Sequence, residues 1–330
     1  MHTVTLARQA MATRFEIALH GDDEVRLRAA GEMALNEVER LEAQLSLYRP
    51  SSEIARLNAR GAREAVKVSP SVFRLLQQAQ ALSCETGGAF DITVAPLVRC
   101  WGFMGGSGKM PGADEIAAAL AKVGAQHLLL DEANCTARFD SEGAMVDLGA
   151  IGKGYAIDCA AEILREAGVT SALLHGGTSS VYGLGHPPGA EAWTVAIDGP
   201  PGCEPIATIG LCDSALSVSA SWGKSFVLDG RSYGHVLDPR SGWPAREPEA
   251  AVLAAVGLPS TTETDAFSTG LLTVGLAGHD EIAALRPGMA TLALGWEGDG
   301  LTSKTQNIAV QLAKGLKKEA SPSNICHGAG

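Results

Sequence analysis

The stretch Val146-Asp147-Leu148-Gly149-Ala150-Ile151-Gly152-Lys153-Gly154-Tyr155 reads as a strand running into a glycine-rich turn and then a helix. Amides exposed in such a turn, a helix N-terminus and a lysine beside it together suit a phosphate group. The stretch is not a Walker A loop, because Asp147 stands where its first glycine would fall and Gly154 stands where Ser or Thr is needed. A glycine turn of this kind is often only a turn, but the embedded Lys153 and Asp147 point toward function. A second candidate is Thr264-Asp265-Ala266-Phe267-Ser268-Thr269-Gly270 at a helix start. Asp265 and Thr269 are four apart, so a carboxylate and a hydroxyl share one helical face. Hard oxygens of this kind suit Mg²⁺, which keeps several waters and takes few protein ligands. The metal reading places Asp265 at a partly hydrated helix end, and a simpler reading has Thr262, Thr264 and Asp265 merely capping the helix. The third candidate is His235, in a strand that ends at Asp238-Pro239. It is either a strand-edge structural residue or a general base near neutral pH.

Two further stretches stand out. Gly87 to Leu97, with Ala89, Phe90 and Asp91, is followed closely by Trp101-Gly102-Phe103. It combines a tight turn, an acid and aromatics able to hold a planar ring system. Leu45 to Pro50, with Tyr48, followed by Ser52, Glu53, Ile54 and Asn58, is a helix end entering a polar loop. Either stretch alone also reads as core plus turn.

The elements that must position these groups are legible in outline. Residues 22–46 predict a helix capped by Asp22 or Asp23, with Val38, Leu41 and Leu45 at helical spacing. Ser69-Pro70 opens another that runs to about Ser83, and residues 114–123 predict a third. Short strands are expected at 128–130, 136–139 and 144–146, then a helix over 153–167. Strands near 171–174, 193–197, 206–211, 216–219 and 232–237 follow, with late helices over 264–276 and 280–285. Long helices and hairpin-like strands without regular alternation predict an α+β fold. One domain is expected over 1–316, with a mobile tail over 317–330 rich in Ser, Gly and Lys.

Composition narrows the partners. The chain has 330 residues, 46% of them hydrophobic, and a formal net charge of −11, which argues against a nucleic acid as main partner. Seven scattered cysteines without a CxxC pair indicate neither a disulfide framework nor a zinc site. No apolar stretch is long enough to cross a bilayer. The chain as it stands is expected to be cytoplasmic, and periplasmic or lipid-anchored if a signal segment has been removed.

Taken in order, Met11 to Phe15, the Ser46 to Asn58 loop, Gly87 to Phe103, Asp147 to Tyr155, His235 to Pro239 and Asp265 to Thr269 resemble the FAD:protein FMN transferase family, the ApbE-type flavin transferases. The resemblance implies a T-fold-like duplicated architecture with FAD in the cleft between two related halves. It implies that Met11, Tyr48, Ala89, Phe90, Asp91, Asp147, Lys153 and His235 line the FAD site. It also implies Mg²⁺ on the Ala150 carbonyl, the Asp265 carboxylate and the Thr269 hydroxyl. The implied reaction moves FMN from FAD to a Thr or Ser hydroxyl of an acceptor flavoprotein and releases AMP. Lys153 would then serve the phosphates, and His235, in preference to Asp265, would take the proton. Two departures stand out: Thr178 and Ser221 occupy positions where the family commonly has acids. Rival readings are a Mg²⁺-dependent FAD pyrophosphatase and a non-catalytic flavin-binding protein.

Overall fold

The computed structural model describes residues 1–201, 204–245, 250–297 and 300–310, so the expected tail lies outside the described residues. The chain opens with a hairpin of β1 (His2–Ala10) and β2 (Thr13–Gly21). Alternation places Val4, Leu6, Phe15, Ile17 and Leu19 on its buried face. The loop residues Met11 and Ala12 have φ of 50° and 58°. That is the type I′ conformation, which usually recruits Asn or Gly.

Helix α1 (Glu24–Leu45) starts where the Asp23 carboxylate accepts from the amides of Val25 and Arg26. It buries Leu27, Leu35, Val38, Leu41 and Leu45. Truncating a fully buried leucine such as Leu35 typically costs about 2–5 kcal/mol. A smaller lobe follows: α2 (Glu53–Arg60), β3 (Val66–Lys67), α3 (Pro70–Glu85), α4 (Ala95–Cys100), α5 (Ala113–Leu120), β4 (Leu128–Asp131) and β5 (Thr136–Phe139). Its three strands pair in the order β3-β5-β4. The chain then forms α6 (Gly152–Glu166), β6 (Ala172–Gly176), β7 (Ser180–Leu184), and a ribbon of β8 (Trp193–Asp198) and β9 (Pro205–Leu211). Next come β10 (Ser214–Ala220), a hairpin of β11 (Ser225–Leu228) and β12 (Arg231–Gly234), β13 (Leu253–Leu258), and α7 (Thr261–Val274). The last elements are α8 (His279–Ala283), β14 (Ala290–Glu297) and β15 (Gly300–Gln306).

The fold is α+β. Eight antiparallel strands form one sheet in the order β1-β2-β6-β7-β10-β13-β14-β15. Helices α1 and α6 cover its first half, and α7 covers β10 and β13. The β8–β9 ribbon packs Trp193, Ile197 and Leu211 with Leu216, Leu253 and Leu292 in a second core. All six residues of β13 are buried as a result, which fits its continuous apolar run.

Two expected strands differ. Residues 144–146 join no ladder, because the Asn58 side chain takes the place of a neighbouring strand. Its Nδ2 donates to the Val146 carbonyl at 2.9 Å, and its Oδ1 accepts from the Val146 amide at 2.8 Å. The strand expected over 232–237 ends at Gly234, after which Leu237 makes a single bridge to Pro244. The five described cysteines are free thiols, whereas Cys203 and Cys326 lie outside the described residues. Among the described residues, no helix is long and apolar enough to cross a membrane.

Candidate functional site

Tyr48, Ala89, Phe90, Asp91, Asp147, Ala150, Lys153, His235, Asp265 and Thr269 line one cavity of about 740 Å³. That is the size of sites for small molecules and cofactors. Met11 instead lines an adjoining hollow of about 330 Å³, which shares Tyr48, Asp147, Gly149 and Lys153 with the first. The strained Met11–Ala12 turn thus abuts the cavity rather than forming its wall.

The glycine-rich turn is built from its own amides. Asp147 Oδ1 accepts from the Gly149 amide at 2.8 Å, Leu148 O accepts from Ile151 and Gly152, and Asp265 takes the amide of Gly154. The expected cradle of exposed N–H groups is therefore largely satisfied internally. Positive potential toward a phosphate falls instead on Lys153, in the first turn of α6, and on that helix's N-terminus. Among the described residues the Lys153 ammonium has only a long contact, 3.5 Å, to the Gly149 carbonyl. Burial pushes the Asp147 carboxyl above its usual range, opposed by the Gly149 amide and by Lys153.

Asp265 does not cap its helix. Helix α7 begins at Thr261, behind Ser260. Asp158 of α6 accepts from the Thr261 and Thr262 amides and from the Ser260 and Thr262 hydroxyls. Asp265 therefore lies inside the helix and is 6% exposed, not at a hydrated end. Its Oδ1 accepts from the hydroxyls of Ser180 and Ser217, and its Oδ2 from the Gly154 amide at 2.7 Å. Strand β10 and helix α7 mesh by their repeats: Ser217 meets Thr264 and Asp265, and Ser219 meets Ser268 and Thr269. Two residues of strand rise roughly 6.6 Å and four of helix roughly 6 Å, so the hydroxyls stay in step.

The donor set fits a hard cation. Asp265, Thr269 and Ala150 border the same cavity, and the Thr269 hydroxyl donates to the Asp265 carbonyl, leaving its lone pairs for other partners. Among the described residues, no three His, Cys, Asp or Glu side chains form a group able to hold a metal. A cation held by Ala150, Asp265 and Thr269 would thus rest on one carboxylate with one hydroxyl and one carbonyl oxygen.

His235 follows β12 and is tied at Nδ1, 3.1 Å from the Lys224 carbonyl. A carbonyl only accepts, so Nδ1 carries the proton, and among the described residues the Nε2 lone pair has no hydrogen-bond partner. Burial against the cavity wall lowers the imidazole pKa. The Lys224 carbonyl bond works against that shift, and the charges of Lys224 and Lys153 add to it. The residue is still exposed to solvent, which tempers the shift.

The remaining expected residues shape walls. Ala89 and Phe90 are each 1% exposed, so the Phe90 ring belongs to the core and offers no open face for stacking. The Asp91 carboxylate accepts from the Ser83 hydroxyl at Oδ2 and from the amide and hydroxyl of Thr93 at Oδ1, so three of its roughly four lone-pair sites are taken by its own surroundings. Trp101 is fully buried and donates to the Gly242 carbonyl within an aromatic cluster of Phe226, Tyr233 and Trp243. Phe103 does reach the cavity, and Tyr48, 62% exposed, stands at its rim. Of the two departures, Thr178 lines the cavity, and Ser221 precedes the lining Trp222 and donates its amide to Val252.

Sequence reasoning missed Ser180, Ser217, Asp158 and the pairing role of Asn58. The only local signal was the period-two repeat of small hydroxyls at Ser217 and Ser219, which shows that they share a strand face but not what lies opposite.

The sequence profile of the ApbE family matches residues 11–293. A FAD:protein FMN transferase of Klebsiella pneumoniae is 34% identical over 254 residues, 76% of each chain. One of Salmonella typhimurium is 31% identical over 307 residues, covering 89% of this chain and 85% of its own. The crystal structure of the ApbE protein of Thermotoga maritima superposes with a TM-score of 0.82 at 26% identity, over 95% of this chain and 97% of that one. The apo flavinyl transferase ApbE of Pseudomonas stutzeri gives 0.80 at 29% identity, over 93% and 95%. With its motifs gathered round one cavity and its profile matched over most of its length, the chain belongs to the ApbE family of flavin transferases.

Proposed function

We propose that this protein is a Mg²⁺-dependent FAD:protein FMN transferase, moving FMN from FAD to a threonine or serine hydroxyl of an acceptor flavoprotein and releasing AMP. The observation that carries the mechanism is the contrast between the two candidate bases. Asp265 has three of its roughly four lone-pair sites filled by protein donors, whereas His235, on the same cavity, has an Nε2 lone pair with no partner among the described residues. The names of the relatives supply the substrate pair.

In this reading the acceptor oxygen attacks the phosphorus of the FMN half, its proton passes to His235 Nε2, and the bond to the AMP phosphate breaks. Lys153 stabilises charge on the pyrophosphate from the first turn of α6. Ala150, Asp265 and Thr269 would hold Mg²⁺, whose charge would neutralise the phosphate oxygens. Phe103, Val98, Ala89 and Phe90 are among the residues that line the cavity.

The test is to incubate the protein with FAD, Mg²⁺ and a candidate acceptor, then look for covalent flavin fluorescence on a denaturing gel. Release of free FMN and AMP with no labelled acceptor would make the enzyme an FAD pyrophosphatase instead. Bound but intact FAD would make it a binding protein.

A further inference from the structure

We propose that Ser180 and Ser217 are positioning residues that let Asp265 offer a cation one oxygen only, and that they thereby select Mg²⁺ over Ca²⁺. The inference rests on the metal reading given above and goes beyond it, to the choice of ion. An ionised carboxylate carries about four lone-pair sites over two oxygens. Oδ1 accepts from Ser180 at 2.5 Å and from Ser217 at 2.8 Å, so both of its sites are filled. Among the described residues Oδ2 accepts once, from the Gly154 amide, and so keeps a single site.

The arrangement is fixed by backbone register. Ser180 and Ser217 are direct partners across the β7–β10 ladder, so their side chains leave the same face of the sheet as neighbours. They are 2% and 1% exposed. Helix α7 crosses that face with Asp265 directly over the pair, and α6 brings the Gly154 amide to the other oxygen. Neither hydroxyl can turn away to water when a cation arrives.

Ca²⁺ takes 6–8 oxygens and commonly binds a carboxylate through both of them, whereas Mg²⁺ keeps an octahedral shell with several waters and needs few protein oxygens. An Asp265 saturated at Oδ1 cannot chelate. Thr269 and Ala150 would each add a single oxygen, so the site suits the smaller ion.

The test is calorimetric titration of the full chain with MgCl₂ and with CaCl₂, FAD present and acceptor absent, for the wild type, Ser180→Ala, Ser217→Ala and Asp265→Ala. Each serine variant removes one donor from the same oxygen at small volume cost, so either can carry the test, with melting temperature checking the fold. Mg²⁺ affinity should fall roughly 10- to 100-fold, the range for groups that orient a metal ligand. Ca²⁺ affinity should fall less or rise, so the affinity ratio shifts toward Ca²⁺. An unchanged ratio in both folded serine variants overturns the proposal while leaving the metal site standing. Mg²⁺ binding by Asp265→Ala equal to that of the wild type overturns the metal reading itself.

Discussion

The backbone amide of Gly154 donates to Asp265 Oδ2 across the contact between α6 and α7, where the helices are so close that a Cβ on residue 154 would lie 2.2 Å from the Thr261 carbonyl. Glycine is required here for space rather than for φ. Gly154→Ala should force the helices apart and cost on the order of 1–3 kcal/mol or more, as overpacking does. It should also move Asp265 relative to Lys153, so turnover should fall together with the melting temperature. Thermal unfolding and a turnover assay on the same sample check this, and a variant as stable and active as the wild type would show that the contact yields without cost.

Asp265→Ala should abolish turnover, but burial changes what else it does. The sequence suggested a hydrated helix end that could lose its carboxylate with the fold intact. The structure shows three protein donors that would lose their acceptor. Each stranded buried donor costs about 1–3 kcal/mol, so a clear loss of stability should accompany the loss of activity. Thr269→Ala should be milder on both counts, since its hydroxyl donates to a carbonyl of its own helix turn, makes a long contact with Ser219 and carries no charge. Chemical denaturation of the two variants beside the wild type distinguishes the cases.

The proton transfer should be visible in a pH profile. A base must be neutral to act, and burial lowers the His235 pKa, so the rate should rise with pH along a limb centred below the ordinary histidine value of about 6.5 and be flat by neutrality. His235→Gln should remove that limb and lower the plateau. A profile of unchanged shape and height in this variant would return His235 to a purely structural role. Single-turnover rates across pH, with FAD and Mg²⁺ saturating, give the measurement.

Asn58 tests how the glycine turn is held. Its amide gives and receives one hydrogen bond at Val146, the residue before Asp147. Asn58→Ala should cost about 1–3 kcal/mol for the unpaired backbone groups and weaken FAD binding by loosening the turn. Asn58→Asp should not restore binding, because a carboxylate cannot donate to the Val146 carbonyl. Thermal melts and FAD titrations of both variants decide it, and unaltered FAD affinity in Asn58→Ala would mean that the turn holds its shape unaided.

Local chemistry determined a good part of this protein in advance. The Asp23 cap, the Ser69-Pro70 start and the spacing of Val38, Leu41 and Leu45 announce α1 and α3 because capping and helical periodicity act within a few residues. The set of groups that line the cavity came with the family resemblance that the order of the motifs carries, with Met11 alone displaced to the adjoining hollow. The β1–β2 hairpin also had its alternation in plain view, but its turn uses Met11 and Ala12 at positive φ, and nothing in those two residues signals a turn.

The tertiary structure alone decided which polar groups face one another. Val146 looked like strand and became a loop because a side chain 88 residues away satisfies its backbone. Asp265, which the sequence offers as a metal ligand or a cap, is a buried acceptor inside the helix because Ser260 and Asp158 do the capping and the β7–β10 register sets two serines beneath it. A sequence states each group's capacity to donate or accept, but hydrogen bonds are satisfied in space, so the partner of a buried carboxylate is fixed only when sheet register and helix crossing bring distant segments within about 3 Å.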